Sequence, residues 1–172
     1  MDAPGVPIWL LDMDGVINGI RPGWVRAPRT TSLEANGVEY RIRYAPELIR
    51  RIRGLHQTRQ VDLRWATTWA CHTRRLNNLY DLQGVPPAFA LPRGDNTSRE
   101  RVGELKVRAA LAVVRAGHRL IWTDDEAIPA QGPVREELEG CGALLLAPDD
   151  SRCLRPEDMD AIEKYACARR PV

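Results

Sequence analysis

The stretch Ile8-Trp9-Leu10-Leu11-Asp12-Met13-Asp14-Gly15-Val16-Ile17-Asn18 decides the fold. Four apolar residues in a row, ended by two carboxylates and a glycine, have the form of a strand buried on both faces, and such strands belong to parallel sheets. The form recurs down the chain. Val61 to Ala66 reads as a second strand and stops at Thr67-Thr68. Arg119 to Thr123 is a further strand, stopping at Asp124-Asp125, and Ala143 to Ala147 is another. A short strand is also expected over Ala88 to Leu91. Amphipathic segments fall between them. Pro46 opens a helix with Leu48, Ile49, Ile52 and Leu55 at helical spacing. Cys71 to Leu82 fits a helix with Leu76, Leu79 and Tyr80 on one stripe, closed by Gly84. Thr97-Ser98-Arg99-Glu100 has the form of a capping box, and Val102, Leu105, Ala109, Ala112 and Val113 follow it up to Gly117. Val134 to Leu138 is a short helix, and Pro156 to Ala168 closes the chain with Met159, Ile162 and Ala166 on one face.

Strands alternating with helices predict an α/β protein, a three-layer sandwich around a mainly parallel central sheet. Between the first strand and the first helix, Asn36-Gly37 is flanked by Ser32-Leu33-Glu34 and by Val38 to Ile42, which predicts a β-hairpin within residues 19–45. The 172 residues suit a single domain spanning 1–172. With 44% hydrophobic and 28% charged residues, the chain has the means to build a core, and wholesale disorder is not expected.

No apolar run approaches the length of a membrane span. The start carries no basic region, and the apolar run from Ile8 soon meets Asp12 and Asp14, so a secretory signal is not expected and a cytoplasmic location is. Cys71, Cys141, Cys153 and Cys167 have no paired spacing and read as reduced, mostly buried thiols rather than a zinc site. Twenty-three of the 25 basic residues are Arg; the two lysines are Lys106 and Lys164. A lysine kept at a chemically useful place is therefore informative. Between Gly19 and Gln60 nine Arg stand against three Glu, a local excess that fits either a solvated basic face or a phosphate-rich substrate.

In a parallel sheet, ligands bind at the carboxyl ends of the strands. Three strand ends carry reactive or ligating groups: Asp12 and Asp14, Thr67 and Thr68, Asp124 and Asp125. Lys106 lies on the helix before the third of these strands. Grouped carboxylates repel one another and need a cation, and a set of oxygen ligands without His or Cys suits Mg²⁺. His56, His72 and His118 are scattered, the adjacent Cys71 and His72 would face apart on a helix, and no P-loop is present.

These motifs carry a resemblance. Trp9 to Asn18 is similar to the first motif of the haloacid dehalogenase (HAD) superfamily, hhhhDxDGxxN. Trp65-Ala66-Thr67-Thr68-Trp69 resembles the second, Lys106 suits the third, and Ile121-Trp122-Thr123-Asp124-Asp125 resembles the fourth. The four stand in order over residues 8 to 125. The whole chain also looks like small actinobacterial HAD proteins, some of which resemble the phosphatase domain attached to RNA-repair enzymes.

The resemblance implies a HAD-like Rossmannoid fold and a Mg²⁺-dependent phosphohydrolase acting on phosphomonoesters. Asp12 would be the nucleophile, forming an aspartyl-phosphate that water cleaves, and Asp14 the general acid and then base. Mg²⁺ would be held by Asp12, the Asp14 backbone carbonyl and Asp124, with Asp125 either a supporting partner or the true ligand. Thr67 would donate to a phosphoryl oxygen, being first after the strand, with Thr68 the alternative. Lys106 would offset the charge of nucleophile and phosphate, and Gly15 would allow the tight turn. A helix beginning at Thr97 would leave Lys106 more than two turns in, a long reach; a start nearer Val102-Gly103 would shorten it.

Members of this superfamily gain specificity from caps inserted after the first motif or between the second and third. Here the first window, Gly19 to Ala45, has room for a β-hairpin flap and no large cap, and Ala70 to Arg101 is needed for the core. An open site suits a bulky phosphorylated substrate, or closure by a second subunit in a homodimer. Arg21, Arg26, Arg29, Arg41 and Arg43, with Trp24 and Trp69, lean toward a nucleotide or a polynucleotide 3′-phosphate end, Arg tracking phosphates and each Trp either stacking on a base or simply packing inward. The competing reading is a noncatalytic HAD-fold phosphate-binding or regulatory module.

Overall fold

The computed structural model describes residues 5–91 and 98–168. Four strands form an all-parallel sheet in the order β4-β1-β5-β6, with β1 Ile8–Leu11, β4 Asp62–Trp65, β5 Leu120–Thr123 and β6 Leu144–Leu146. β1 lies in the interior, its four residues all buried. Side chains alternate across the sheet, so β1 feeds two cores. Trp9 and Leu11 join Leu63, Trp65 and Ile121 on one face, under helices α1 (Pro46–Gln57), α2 (Thr73–Tyr80) and α5 (Pro156–Cys167). Ile8 and Leu10 join Leu120 and Trp122 on the other, under α3 (Arg99–Arg115) and α4 (Pro133–Gly140). The chain is thus mixed α/β, with helices on both faces of a parallel sheet.

Three tryptophans are fully buried, one in each of β1, β4 and β5. Two satisfy their indole N–H locally. Trp9 Nε1 donates to Thr123 Oγ1 at 3.0 Å, and Trp65 Nε1 donates to Asn77 Oδ1 at 2.8 Å. Asn77 in turn donates to the Val85 carbonyl at 2.9 Å, tying α2 to the loop behind β4. Such buried polar bonds matter chiefly because breaking one strands its partner in an apolar place.

The hairpin forms as expected, from β2 (Arg29–Ala35) and β3 (Val38–Tyr44), in a separate two-stranded sheet. Asn36 and Gly37 both take left-handed backbone angles, φ 53° and 77°, the requirement of a two-residue hairpin turn. Ile42 and Tyr44 anchor its base in the first core. At the turn end, Arg75 on α2 pairs with Glu34 and donates to its carbonyl.

Other expectations shift. The cysteines are not mostly buried: Cys153 is, whereas Cys71, Cys141 and Cys167 are exposed. The segment expected as a helix from Cys71 starts as one 3₁₀ turn at Ala70–His72 and becomes α2. Asp81, at φ 53°, ends it, not Gly84. Ala88 to Leu91 forms no strand: Trp65 makes a single bridge with Pro87, and prolines 86 and 87 withhold donors from a ladder. Thr97 lies outside the described residues. Ser98 caps α3, its hydroxyl accepting from Arg101 N at 3.2 Å. The buried stripe of α3 is Val102, Lys106, Ala110, Val113 and Val114, rotated from the expected one, and Ala112 is exposed.

Candidate active site

The carboxyl ends of β1, β4 and β5 meet at one edge of the sheet. Asp12 follows β1, Thr67 and Thr68 follow β4, and Asp124 and Asp125 follow β5. Strand pairing alone brings Leu11 beside both Trp65 and Thr123. Asp12, Asp14, Thr68 and Lys106 line one cavity of about 400 Å³, with Arg99 and Asp125 at its wall. A larger hollow of about 560 Å³ lies at the opposite, amino-terminal edge of the sheet, around His56, Arg59 and Asp62, and holds no comparable constellation.

Lys106 is the centre of the charge arrangement. It is the eighth residue of α3, at a position where the helix otherwise buries apolar side chains. Its Nζ lies 2.5 Å from Asp12 Oδ2 and 2.8 Å from Asp124 Oδ2. A start at Arg99 therefore leaves it within reach, since helical side chains lean toward the N-terminus. The other oxygens are oriented by the backbone. Asp12 Oδ1 accepts from Met13 N at 2.7 Å, and Asp124 Oδ1 accepts from Glu126 N at 3.1 Å and Ala127 N at 2.7 Å.

Asp12, Asp124 and Asp125 bring carboxylate oxygens within 4.8 Å of one another. One lysine stands against three carboxyl groups, two of them buried and Asp125 half-buried. The titration behaviour follows. Burial, more than the lysine can offset, pushes the Asp12 carboxyl up to about 7, with Asp124 adding to the rise. Asp125 is raised by burial and by Asp124. Lys106 is raised, because the two carboxylates outweigh its own burial. Asp124 Oδ2 is buried and, apart from the facing ammonium, makes no well-formed hydrogen bond. A trio of carboxyl oxygen donors around a single lysine, with one oxygen short of a hydrogen bond, could hold a hard divalent cation.

Asp14 is arranged differently. It is exposed, and each of its oxygens has a donor. Asn18 Nδ2 donates to Oδ1 at 2.7 Å, and Trp69 Nε1 donates to Oδ2 at 2.9 Å. Both donors are held by β3. Asn18 Oδ1 accepts from Arg43 N at 2.8 Å, and Tyr40 packs edge-on against Trp69 with ring centroids 5.1 Å apart. Gly15 has φ 72°, and a Cβ there would lie 2.3 Å from the Asp125 carboxyl carbon. The glycine is needed for this close approach as much as for the turn.

Several expected site residues are placed elsewhere or in other roles. Thr67 is fully buried and its hydroxyl accepts from Trp69 N at 3.4 Å, whereas Thr68 is the exposed threonine lining the cavity. Trp69 is not open for stacking on a base: it is buried and orients Asp14. Trp24 donates to the Leu154 carbonyl at 2.8 Å and lies under Arg51, so it too is a packing residue. Arg26 is an exposed partner of Glu47 at 3.6 Å and does not line the cavity. Asn18 was missed as a functional residue. Its place four residues after Asp14 was visible, but its use depends on a strand 25 residues away.

No family model matches this chain, and no curated protein matches it. Among the described residues, no helix is long and apolar enough to cross a membrane.

Proposed function

We propose that this chain is a HAD-type phosphohydrolase that cleaves phosphomonoesters through a phosphoryl group held transiently on Asp12. The observation that carries the reading is the buried Asp12–Lys106–Asp124 arrangement at the carboxyl edge of a parallel sheet, with Asp14 beside it on the same turn. A structural salt bridge would not need a third carboxylate crowded against it.

In this reading a carboxylate oxygen of Asp12 attacks phosphorus as the bond to the leaving alcohol breaks. Asp14 gives that alkoxide a proton. Asp14 then takes a proton from water, which attacks the same phosphorus and returns Asp12 as a carboxylate with release of inorganic phosphate. Met13 N and Lys106 hold Asp12 in one orientation, so the attacking group needs no search. Lys106 and the Thr68 hydroxyl offer positive charge and a donor to the phosphoryl oxygens. Asp12, Asp124 and Asp125 would hold Mg²⁺, which supplies charge neutralisation at the transferring group.

The test is phosphate release from phenyl phosphate with Mg²⁺ and with EDTA, beside Asp12→Asn. Release that needs the metal and is lost in the variant is expected. Asp12→Asn turning over like the wild type would overturn the nucleophile. A wild type that binds phosphate and Mg²⁺ yet releases none would instead be the binding module.

A further inference from the structure

A second hollow of about 420 Å³ adjoins the first, and Asp14 and Asp125 line both. Asp12, Thr68 and Lys106 line only the first. If phosphorus sits against Asp12 and Asp14 protonates the leaving oxygen, the leaving group extends past Asp14 into the second hollow. Its remaining walls are Asn18, Ile20, Arg41, Arg43, Asp150 and Ser151.

The two arginines are the unusual feature. Strand alternation puts Arg41 and Arg43 on the same face of β3, while Ile42 and Tyr44 turn into the core. Arg43 is also fixed in space through its main chain, which donates to Asn18 Oδ1 and accepts from Gly19 N at 3.0 Å. Many of this chain's arginines carry an ion pair, among them Arg51, Arg64, Arg75 and Arg115. Among the described residues, Arg41 and Arg43 have none and make no side-chain hydrogen bond, and Arg43 Nε is buried without a partner. A buried guanidinium donor left unsatisfied costs free energy until an acceptor arrives. Asp14, Asp125 and Asp150 line the same hollow, and none of the three forms an ion pair with either guanidinium.

We propose, building on the phosphohydrolase reading, that Arg41 and Arg43 form a subsite for a second phosphate on the leaving group, so that the preferred substrates are bisphosphorylated. Two guanidiniums on adjacent same-face positions suit the several oxygens of a phosphate. Asp150 and Ser151 also line the hollow and can accept from hydroxyls, the Ser151 hydroxyl itself donating to Asp149, which suits a sugar between the two phosphates. The source of that sugar phosphate is a nucleotide or a free sugar.

The experiment compares thymidine 3′-phosphate with thymidine 3′,5′-bisphosphate, which differ by the second phosphate alone, and adds fructose 1,6-bisphosphate. The wild type is expected to show kcat/KM at least about 10-fold higher for the bisphosphorylated nucleoside, the scale of one charge-assisted contact. In Arg41→Gln/Arg43→Gln the preference falls to within about twofold, and the exposed Arg41→Gln alone lowers it in part. Arg29→Gln, on β2, changes net charge as Arg41→Gln alone does and keeps the preference. A preference for the fructose compound instead identifies a free sugar. No preference in the wild type, or one that survives the double variant, overturns the subsite while leaving the phosphatase standing. Should no substrate be hydrolysed, the phosphatase reading falls by itself. Calorimetric titration with the two thymidine compounds then decides the subsite, and equal affinities overturn it.

Discussion

Replacing Lys106 by Met removes the one cation between Asp12 and Asp124 while keeping an unbranched side chain on the buried stripe of α3. The three side chains involved are 7%, 8% and 0% exposed, so solvent screening does little to soften the change. Losing one partner of a buried pair costs about 3–5 kcal/mol. The cost depends on pH. Asp12 is a carboxyl whose folded value, about 7, already lies above its ordinary 3.8. A raised carboxyl contributes stability that is fully present below the lower value and is lost as pH rises through the higher one. Lys106 holds the folded value down, so without it that value moves higher still. Above pH 7 the variant then keeps a proton that the wild type has lost, and the gap between them widens by up to about 1.4 kcal/mol per pH unit. Urea denaturation in EDTA at pH 5.5, 7 and 8.5 reads this directly. The gap at pH 8.5 is expected to exceed that at pH 7, by at most about 2 kcal/mol. A gap that does not change with pH, or a variant more stable than wild type at pH 8.5, would refute the assignment of Lys106 as the counterion of this cluster.

Four further outcomes follow from the same geometry. Mg²⁺ at about 100 times its dissociation constant should stabilise the wild type by about 2.7 kcal/mol at pH 7.5, and Asp125→Ala should lose most of that gain in a thermal-shift titration. Gly15→Ala should weaken Mg²⁺ binding at least about 10-fold, because its methyl would occupy the place of the Asp125 carboxyl, and isothermal titration measures it. Trp69→Phe keeps the ring contact with Tyr40 but removes the donor to Asp14. Phosphate release should fall about 10-fold, while the urea midpoint moves far less than in Lys106→Met. Asn77→Ala strands Trp65 Nε1 and the Val85 carbonyl and should cost about 2–4 kcal/mol in denaturation, with the metal titration unchanged.

The parallel sheet was legible because its strands are short apolar runs ended by polar residues. That pattern places Asp12, Thr67-Thr68 and Asp124-Asp125 at one edge before any coordinates. The hairpin was legible from Asn36-Gly37, since few other pairs tolerate two left-handed residues in succession. What escaped depends on rotation and on distant partners. The stripe of α3 was misjudged because Lys106 sits where an apolar residue is normal, and only the carboxylates across the sheet edge explain it. Trp24 and Trp69 read either as packing residues or as stacking surfaces for a base, and the sequence does not separate the two. An aromatic ring in a basic segment looks the same whether it faces solvent or packs inward, and here each indole N–H is used internally. Thr67 and Thr68 were distinguishable only by which one turns outward after β4.

The tie between β3 and the Asp14 turn runs through main-chain atoms of residue 43, an N–H and a carbonyl that any amino acid other than proline provides in full. The hairpin can therefore exchange the side chains at 41 and 43 without disturbing how the Asp14 carboxyl is aimed. The lining of the second hollow and the aim of Asp14 are separable problems in this architecture, and a designer altering the one has two positions to randomise and the main chain of residue 43 to leave alone.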